Sequence, residues 1–273
     1  YVPFAKAIKA KYPGITLITS AGPFPNDERF NFLWGKMREL NADIVDEHYY
    51  MAPKWFRDNV GRYDDYPRTG PKVFAGEYAA QSTGRGGVPE NRNTWECALS
   101  EAAFMTGLER NSDVVRMSSY APLFGHVDAW QWTPNLIWFD SLRSYGTPNY
   151  YVQKTFSVNR GTRILPVQLN GSPKNGQQNL FACASLDDRT GEVVLTVVNA
   201  EPSSREVRIT LAGAPRVNQS GKAVIIAADL KAENGLDDPK KVSPREQQFA
   251  VTSSEFTYTL ETNSLTVLRV STR

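Results

Sequence analysis

The sequence predicts a multi-domain chain, α/β in its first part and all-β in its second. Three observations carry this. Up to about residue 160, short apolar runs alternate with helical patterns, and the runs recur every 30 to 40 residues or so, the length a βα unit needs. From about residue 165 the hydrophobic period becomes 2 and no helical pattern intervenes, which is the signature of a β-sandwich. Polar and aromatic residues gather where the runs of the first part end, as they do on the active face of a barrel.

The elements follow in order. Tyr1 to Pro13 reads as a helix already running at residue 1, with Phe4, Ile8 and Tyr12 on one face and neither an initiator Met nor a signal-type apolar segment, the pattern of a piece of a longer protein. Ile15–Ser20 has strand composition. The next helix starts near Asn26, with Asp27 and Glu28 in its first turn and Phe30, Leu33, Trp34, Met37 and Leu40 on its apolar face. Strands are expected at Ala42–Asp46 and Lys72–Ala75. A capping box of Asn93 and Glu96 is expected to open a helix faced by Trp95, Ala98, Leu99, Ala102 and Met105. A fourth strand fits Asp113–Met117, and a last amphipathic segment runs from Pro148 to Asn159. Four βα units make half of a (β/α)8 barrel or a small doubly wound sheet. The first is favoured, because His48-Tyr49-Tyr50, Gly76-Glu77-Tyr78 and Ser118-Ser119-Tyr120 follow the runs and no Gly-x-Gly-x-x-Gly occurs in this half. In the second part, Leu180–Leu186 and Glu192–Val198 flank a Gly-containing turn as a hairpin, alternation continues through Val207, Ile209 and Leu211 and through Phe256, Tyr258 and Leu260, and Ser264–Val270 supplies a final strand. Asn234 to Pro244 reads as a long surface loop. The expected division is 1–160 and 161–273.

Composition excludes several functions. Over 273 residues, 31 Lys and Arg face 29 Asp and Glu, a net charge of +2 that offers no concentrated basic face for nucleic acid. No apolar run approaches the roughly 20 residues of a membrane span. Cys97 and Cys183 form no disulfide framework, and with only His48 and His126 beside them a structural zinc or a zincin motif has too few ligands. No metal or cofactor is called for.

Glu77 is the leading chemical candidate. It follows a short buried run, and Gly76 permits close backbone approach, so its carboxylate is either catalytic or held in a structural ion pair. In Asp46-Glu47-His48-Tyr49-Tyr50, strand alternation sends His48 and Tyr50 one way and Tyr49 the other. His48 is suited to orienting a carboxylate and Tyr50 to hydrogen-bonding a sugar or a nucleophile, or both are simply packed at a rim. Trp130, Trp132 and Trp138 stand outside any helical period and suit a sugar-stacking platform or packing between the two parts. His126 has no evident partner.

The strings Asp43–Tyr50, Val73–Tyr78, Tyr120–Phe124 and Pro134–Asp140, with Asn263–Val270 near the end, resemble in order the α-L-arabinofuranosidases of glycoside hydrolase family 51. The resemblance implies a catalytic (β/α)8 barrel, of which the four units are strands five to eight, followed by a jelly-roll-like β-sandwich. It implies retaining release of terminal α-L-arabinofuranosyl groups from arabinose-containing plant oligo- or polysaccharides, with Glu77 as nucleophile and His48 and Tyr50 beside it. Pro122 stands where some members carry a sugar-contacting glutamine, a contact that then passes to Trp132 or Asn135. The family's acid/base lies in an Asn-Glu pair, and no such dipeptide occurs here, so the chain alone is expected to be inactive. Asp46 and Glu47 fit structural roles rather than that of a substitute acid. The alternative is a non-catalytic carbohydrate-binding or structural sandwich module carrying a barrel remnant. Exposed sheet edges predict self-association, or cover from the sandwich. An extracytoplasmic, periplasmic or secreted, location is expected for the parent protein.

Overall fold

The computed structural model describes residues 1–84, 88–173, 176–214 and 216–273. The first part runs α1 (Val2–Lys11), β1 (Ile18–Ser20), α2 (Glu28–Glu39), β2 (Ile44–Met51), α3 (Pro53–Asp58), β3 (Lys72–Ala80), α4 (Trp95–Arg110) and β4 (Val115–Tyr120). The four strands form one parallel sheet in the order β1-β2-β3-β4. Then come three short strands, β5 (Phe124–His126), β6 (Ile137–Phe139) and β7 (Ser144–Gly146), which form a small sheet of their own, and α5 (Pro148–Val158).

The second part is β8 (Arg163–Leu165), β9 (Leu180–Asp187), β10 (Glu192–Asn199), β11 (Arg205–Thr210), β12 (Ser220–Ala227), β13 (Arg245–Ala250), β14 (Glu255–Leu260) and β15 (Ser264–Ser271). They make an antiparallel sheet ordered β13-β12-β15-β10-β9-β8 and a separate β11-β14 pair. Alternation explains the pair: Phe256, Tyr258 and Leu260 of β14 are buried and the residues between them exposed. Mixed sheets and helices are therefore present as the sequence predicts.

Several local expectations change. β2 runs on to Met51 and β3 to Ala80, so His48, Tyr50 and Glu77 lie within strands rather than after them; parallel pairing of Tyr49 with Tyr78 and of Met51 with Ala80 extends both. β1 holds only Ile18–Ser20, and β4 sits two to three residues later than the apolar run suggests. The helix α4 is capped by Thr94, whose hydroxyl accepts from Cys97 N–H, while Asn93 is drawn inward to Tyr120 and Asn149. The Asn234–Pro244 stretch is not a free loop: Asn234 is buried, donates to the carbonyls of Gly146 and Val242 and accepts from Val242 N–H.

Helix α4 joins the two parts. Thirteen of its sixteen residues are buried, among them the polar Ser100, Glu101 and Thr106, so it is enclosed on several sides. It packs on β3 and also on β9 and β10, and one continuous core takes in Tyr78 and Phe104 from the first part and Phe181, Cys183 and Leu265 from the second. Trp95 fixes the junction by donating its indole N–H to Asn263 O at 2.6 Å. The six-stranded sheet of the second part docks on this helix and pairs with neither edge strand of the parallel sheet among the described residues. The apolar residues of α1 expected on one face, Phe4, Ile8 and Tyr12, are exposed.

Candidate active site

The C-terminal halves of β2 and β3 bring the candidate residues together. Between Glu47 and His48 the register shifts by one, Glu47 lying opposite Ala75 and His48 opposite Glu77, so Gly76 is the extra residue of a bulge. This shift puts Glu77 level with His48 and one step from Tyr50. A side chain at Gly76 has no room: its Cβ would meet the Asp46 carboxylate and the Phe74 ring.

Tyr50 donates its hydroxyl to Glu77 Oε2 at 2.7 Å. Burial and the neighbouring Glu77 carboxylate push the phenol's pKa well up, so it remains a donor. His48 Nδ1 stands 3.4 Å from the same Glu77 oxygen, and its Nε2 stands 2.9 Å from Asp46 Oδ2. The hydrogen bond to Asp46 raises the imidazole's pKa, burial opposes the rise, and the charges of Asp46 and Glu77 add to it. The result is a line of four groups, Asp46, His48, Glu77 and Tyr50, with the Glu77 side chain 44% exposed. Asp46 is the member that sequence reasoning assigned to structure alone. The available signal was its spacing of two from His48, which puts both on one strand face.

On the other face of β2, Glu47 is fully buried and ringed by donors: Trp34 Nε1 at 2.8 Å, Tyr66 at 2.9 Å, Tyr63 at 3.1 Å, Arg62 Nε at 3.2 Å, and Tyr49. A carboxylate in this setting is satisfied and withdrawn from solvent, which anchors the strand behind the site and excludes it as a proton donor to substrate. Asp46 and Glu47 thus divide, one to each face.

Trp132 is 37% exposed and meets Tyr50 edge to face, with ring centroids 5.9 Å apart. It forms one wall beside Glu77. Asn135 is buried, donates to Trp132 O at 2.5 Å and packs against Gly125, so it holds the loop that carries Trp132. Trp138 turns away from Tyr50 and donates to Asn93 Oδ1 at 3.1 Å. His126 caps its own turn through Asp128 N–H. Among the described residues no group of three or more metal-ligating side chains converges, and no helix is long and apolar enough to cross a membrane.

A parallel sheet whose C-terminal strand halves present a hydrogen-bonded carboxylate, a histidine and an aromatic wall is the arrangement of an α/β active face. The chain belongs to the family of the α-L-arabinofuranosidase C-terminal domain, whose family model matches residues 76–264. It is 31% identical over 272 residues to α-L-arabinofuranosidase 1 of Arabidopsis thaliana, covering 97% of this chain and 37% of that protein. It is 48% identical over 170 residues to an extracellular exo-α-L-arabinofuranosidase of Streptomyces chartreusis, covering 62% of this chain and 19% of the relative. An arabinose-bound GH51 α-L-arabinofuranosidase structure superposes with a TM-score of 0.85 at 30% identity, over 98% of this chain and 42% of that one. The chain therefore spans well under half the length of these relatives.

Proposed function

We propose that the chain is the C-terminal portion of a retaining α-L-arabinofuranosidase acting on arabinose-containing oligo- or polysaccharides. On this reading β1 to β4 are strands five to eight of a (β/α)8 barrel, residues 1–160, whose two open edges are closed by the rest of the parent protein. Residues 161–273 form its jelly-roll-like sandwich. The observation that carries the proposal is the Glu77 carboxylate, 44% exposed in the C-terminal half of a parallel strand and held from one side by the Tyr50 hydroxyl. The names of the Arabidopsis and Streptomyces relatives support the sugar, and the extracellular Streptomyces relative supports an extracytoplasmic location.

In this mechanism Glu77 attacks the anomeric carbon as the glycosidic C–O bond breaks, the leaving oxygen taking a proton from the acid; water, deprotonated by the same group, then hydrolyses the covalent glycosyl-enzyme and frees Glu77. Tyr50 fixes the attacking oxygen, and His48, oriented by Asp46, sets opposite charge beside it when protonated. Trp132 supplies an apolar face to the sugar. Retention requires a second carboxyl about 5–5.5 Å from the first, as acid and then base. Asp46 is tied to His48 and Glu47 is sealed in its ring of donors, so neither supplies it, and the resemblance assigns that group to an Asn-Glu pair that residues 1–273 lack. The test is Glu77→Ala in the full-length parent, assayed on an aryl arabinoside. Turnover is expected to fall by several orders of magnitude and to be partly restored by azide; near-normal turnover overturns the assignment.

A further inference from the structure

We infer that a second groove, built by the loop that carries Trp132, is a subsite for a neutral oligosaccharide. It is a pocket of about 200 Å³ walled by Trp130, Trp138 and Tyr145, with Arg92 and Glu233 at its margin and Asn93 behind. The inference rests on the reading above for the identity of the polymer, but its observations lie away from Glu77.

The walls are fixed before any ligand arrives. Trp130 and Trp138 pack edge to face at 6.5 Å, and Trp138 is held by Asn93, which is itself tied to Tyr120 and Asn149 at 3.1 and 3.0 Å. Tyr145 sits on the strand next to Trp138, directly opposite it in register. Rigid aromatic surface carries a low ordering cost on binding, and its faces suit the C–H side of a sugar ring.

The polar groups select the ligand class. Arg92 Nε donates to Glu233 Oε2 at 2.9 Å, so the two charges at the margin cancel and neither recruits an ion. The Trp130 indole N–H and the Tyr145 hydroxyl have no protein partner among the described residues, and with the second Glu233 oxygen they offer donors and acceptors together. A hydroxyl-bearing neutral ligand uses both; an anion meets Glu233 and a hydrocarbon leaves these groups unpaired.

Position relates the groove to Glu77. Trp130 and Trp132 are two residues apart, a span of at most about 7 Å of chain. One lines the groove and the other touches Tyr50, whose hydroxyl is on Glu77. The same loop therefore carries one tryptophan at the groove and one against the tyrosine that holds Glu77.

The test titrates the 273-residue chain with linear 1,5-linked arabinohexaose, reading heat and tryptophan fluorescence, alongside Trp130→Ala and Tyr145→Phe. The wild type is expected to bind. Trp130→Ala weakens affinity about tenfold or more, and Tyr145→Phe weakens it several-fold with the fold unchanged by circular dichroism. No binding by the wild type, wild-type affinity in both groove variants, or tighter binding of an oligogalacturonate overturns the inference. An active Glu77→Ala parent would remove the arabinofuranosidase mechanism and leave the groove result standing, so the two failures are distinguishable.

Discussion

Replacing Gly76 by alanine probes the bulge that brings His48 level with Glu77. The added Cβ would stand 2.9 Å from both Asp46 Cγ and Phe74 Cε1, and nearer still to Asp46 Oδ1. Non-bonded carbons prefer about 3.5–4.0 Å, so one side must yield. If β3 backs away, overpacking costs about 1–3 kcal/mol. If the Asp46 carboxylate turns instead, its bond to His48 is lost, at about 1.5–3 kcal/mol for a hydrogen bond to a charged group. Either route centres on about 2 kcal/mol. With a urea dependence of about 1–3 kcal/mol per molar, the midpoint of unfolding drops by about 1 M. The routes separate by histidine NMR, since only the second frees His48 from its partner. A midpoint within about 0.2 M of wild type, at unchanged urea dependence, would refute the claim that Gly76 is required by the Asp46 contact.

The His48 resonance is expected to titrate above the ordinary value of 6.5, because Asp46 favours its charged form. The stability it contributes is complete below that value and fades as pH rises through the raised one; Asp46→Asn moves the titration down, and an unmoved curve would contradict the contact. Glu101, fully buried and accepting Ala80 N–H at 2.7 Å, is pushed up to about 8 by burial. The folded chain then holds a proton that the unfolded chain loses from about pH 4.5 upward, so stability falls between about pH 4.5 and 8, and Glu101→Gln flattens that fall in urea titrations at a series of pH values. Glu47→Leu strands the Arg62 guanidinium, whose side chain is only 5% exposed, and is expected to cost about 3–5 kcal/mol in chemical denaturation; a loss below about 1 kcal/mol would show that the charge finds solvent.

What was legible in the sequence was what local pattern determines. The β9–β10 hairpin follows from two apolar runs flanking Gly191, whose positive φ the turn requires. Helix α5 begins where Pro148 suits a first helical turn behind Thr147. Glu77 was legible because an acid in an apolar run needs a reason. The Thr94 cap was not: Asn93 and Thr94 are both competent, and the choice is made by distant Tyr120 and Asn149 drawing Asn93 inward. Strands β5, β6 and β7 are three residues each, too short to show a period. The Asp46 contact depends on a bulge in the neighbouring strand, and the groove at Trp130 on segments more than a hundred residues apart.

The burial of α4 from both sides bears on modularity. A sandwich that travels as a cassette between proteins would meet its neighbour through a thin, mostly polar seam, with a flexible tether between them. Here the seam is a helix from the first part, whose Trp95 is hydrogen-bonded to the turn before β15 and whose flank faces Phe181, Cys183 and Leu265. Severing the chain near residue 160 would strip the second part of the surface its six-stranded sheet is packed on. Inheritance and engineering alike must therefore keep the pair together: a chimaera that exchanges the sandwich between relatives has to carry α4 with it, and the loss of either partner is felt as the loss of one cooperative unit.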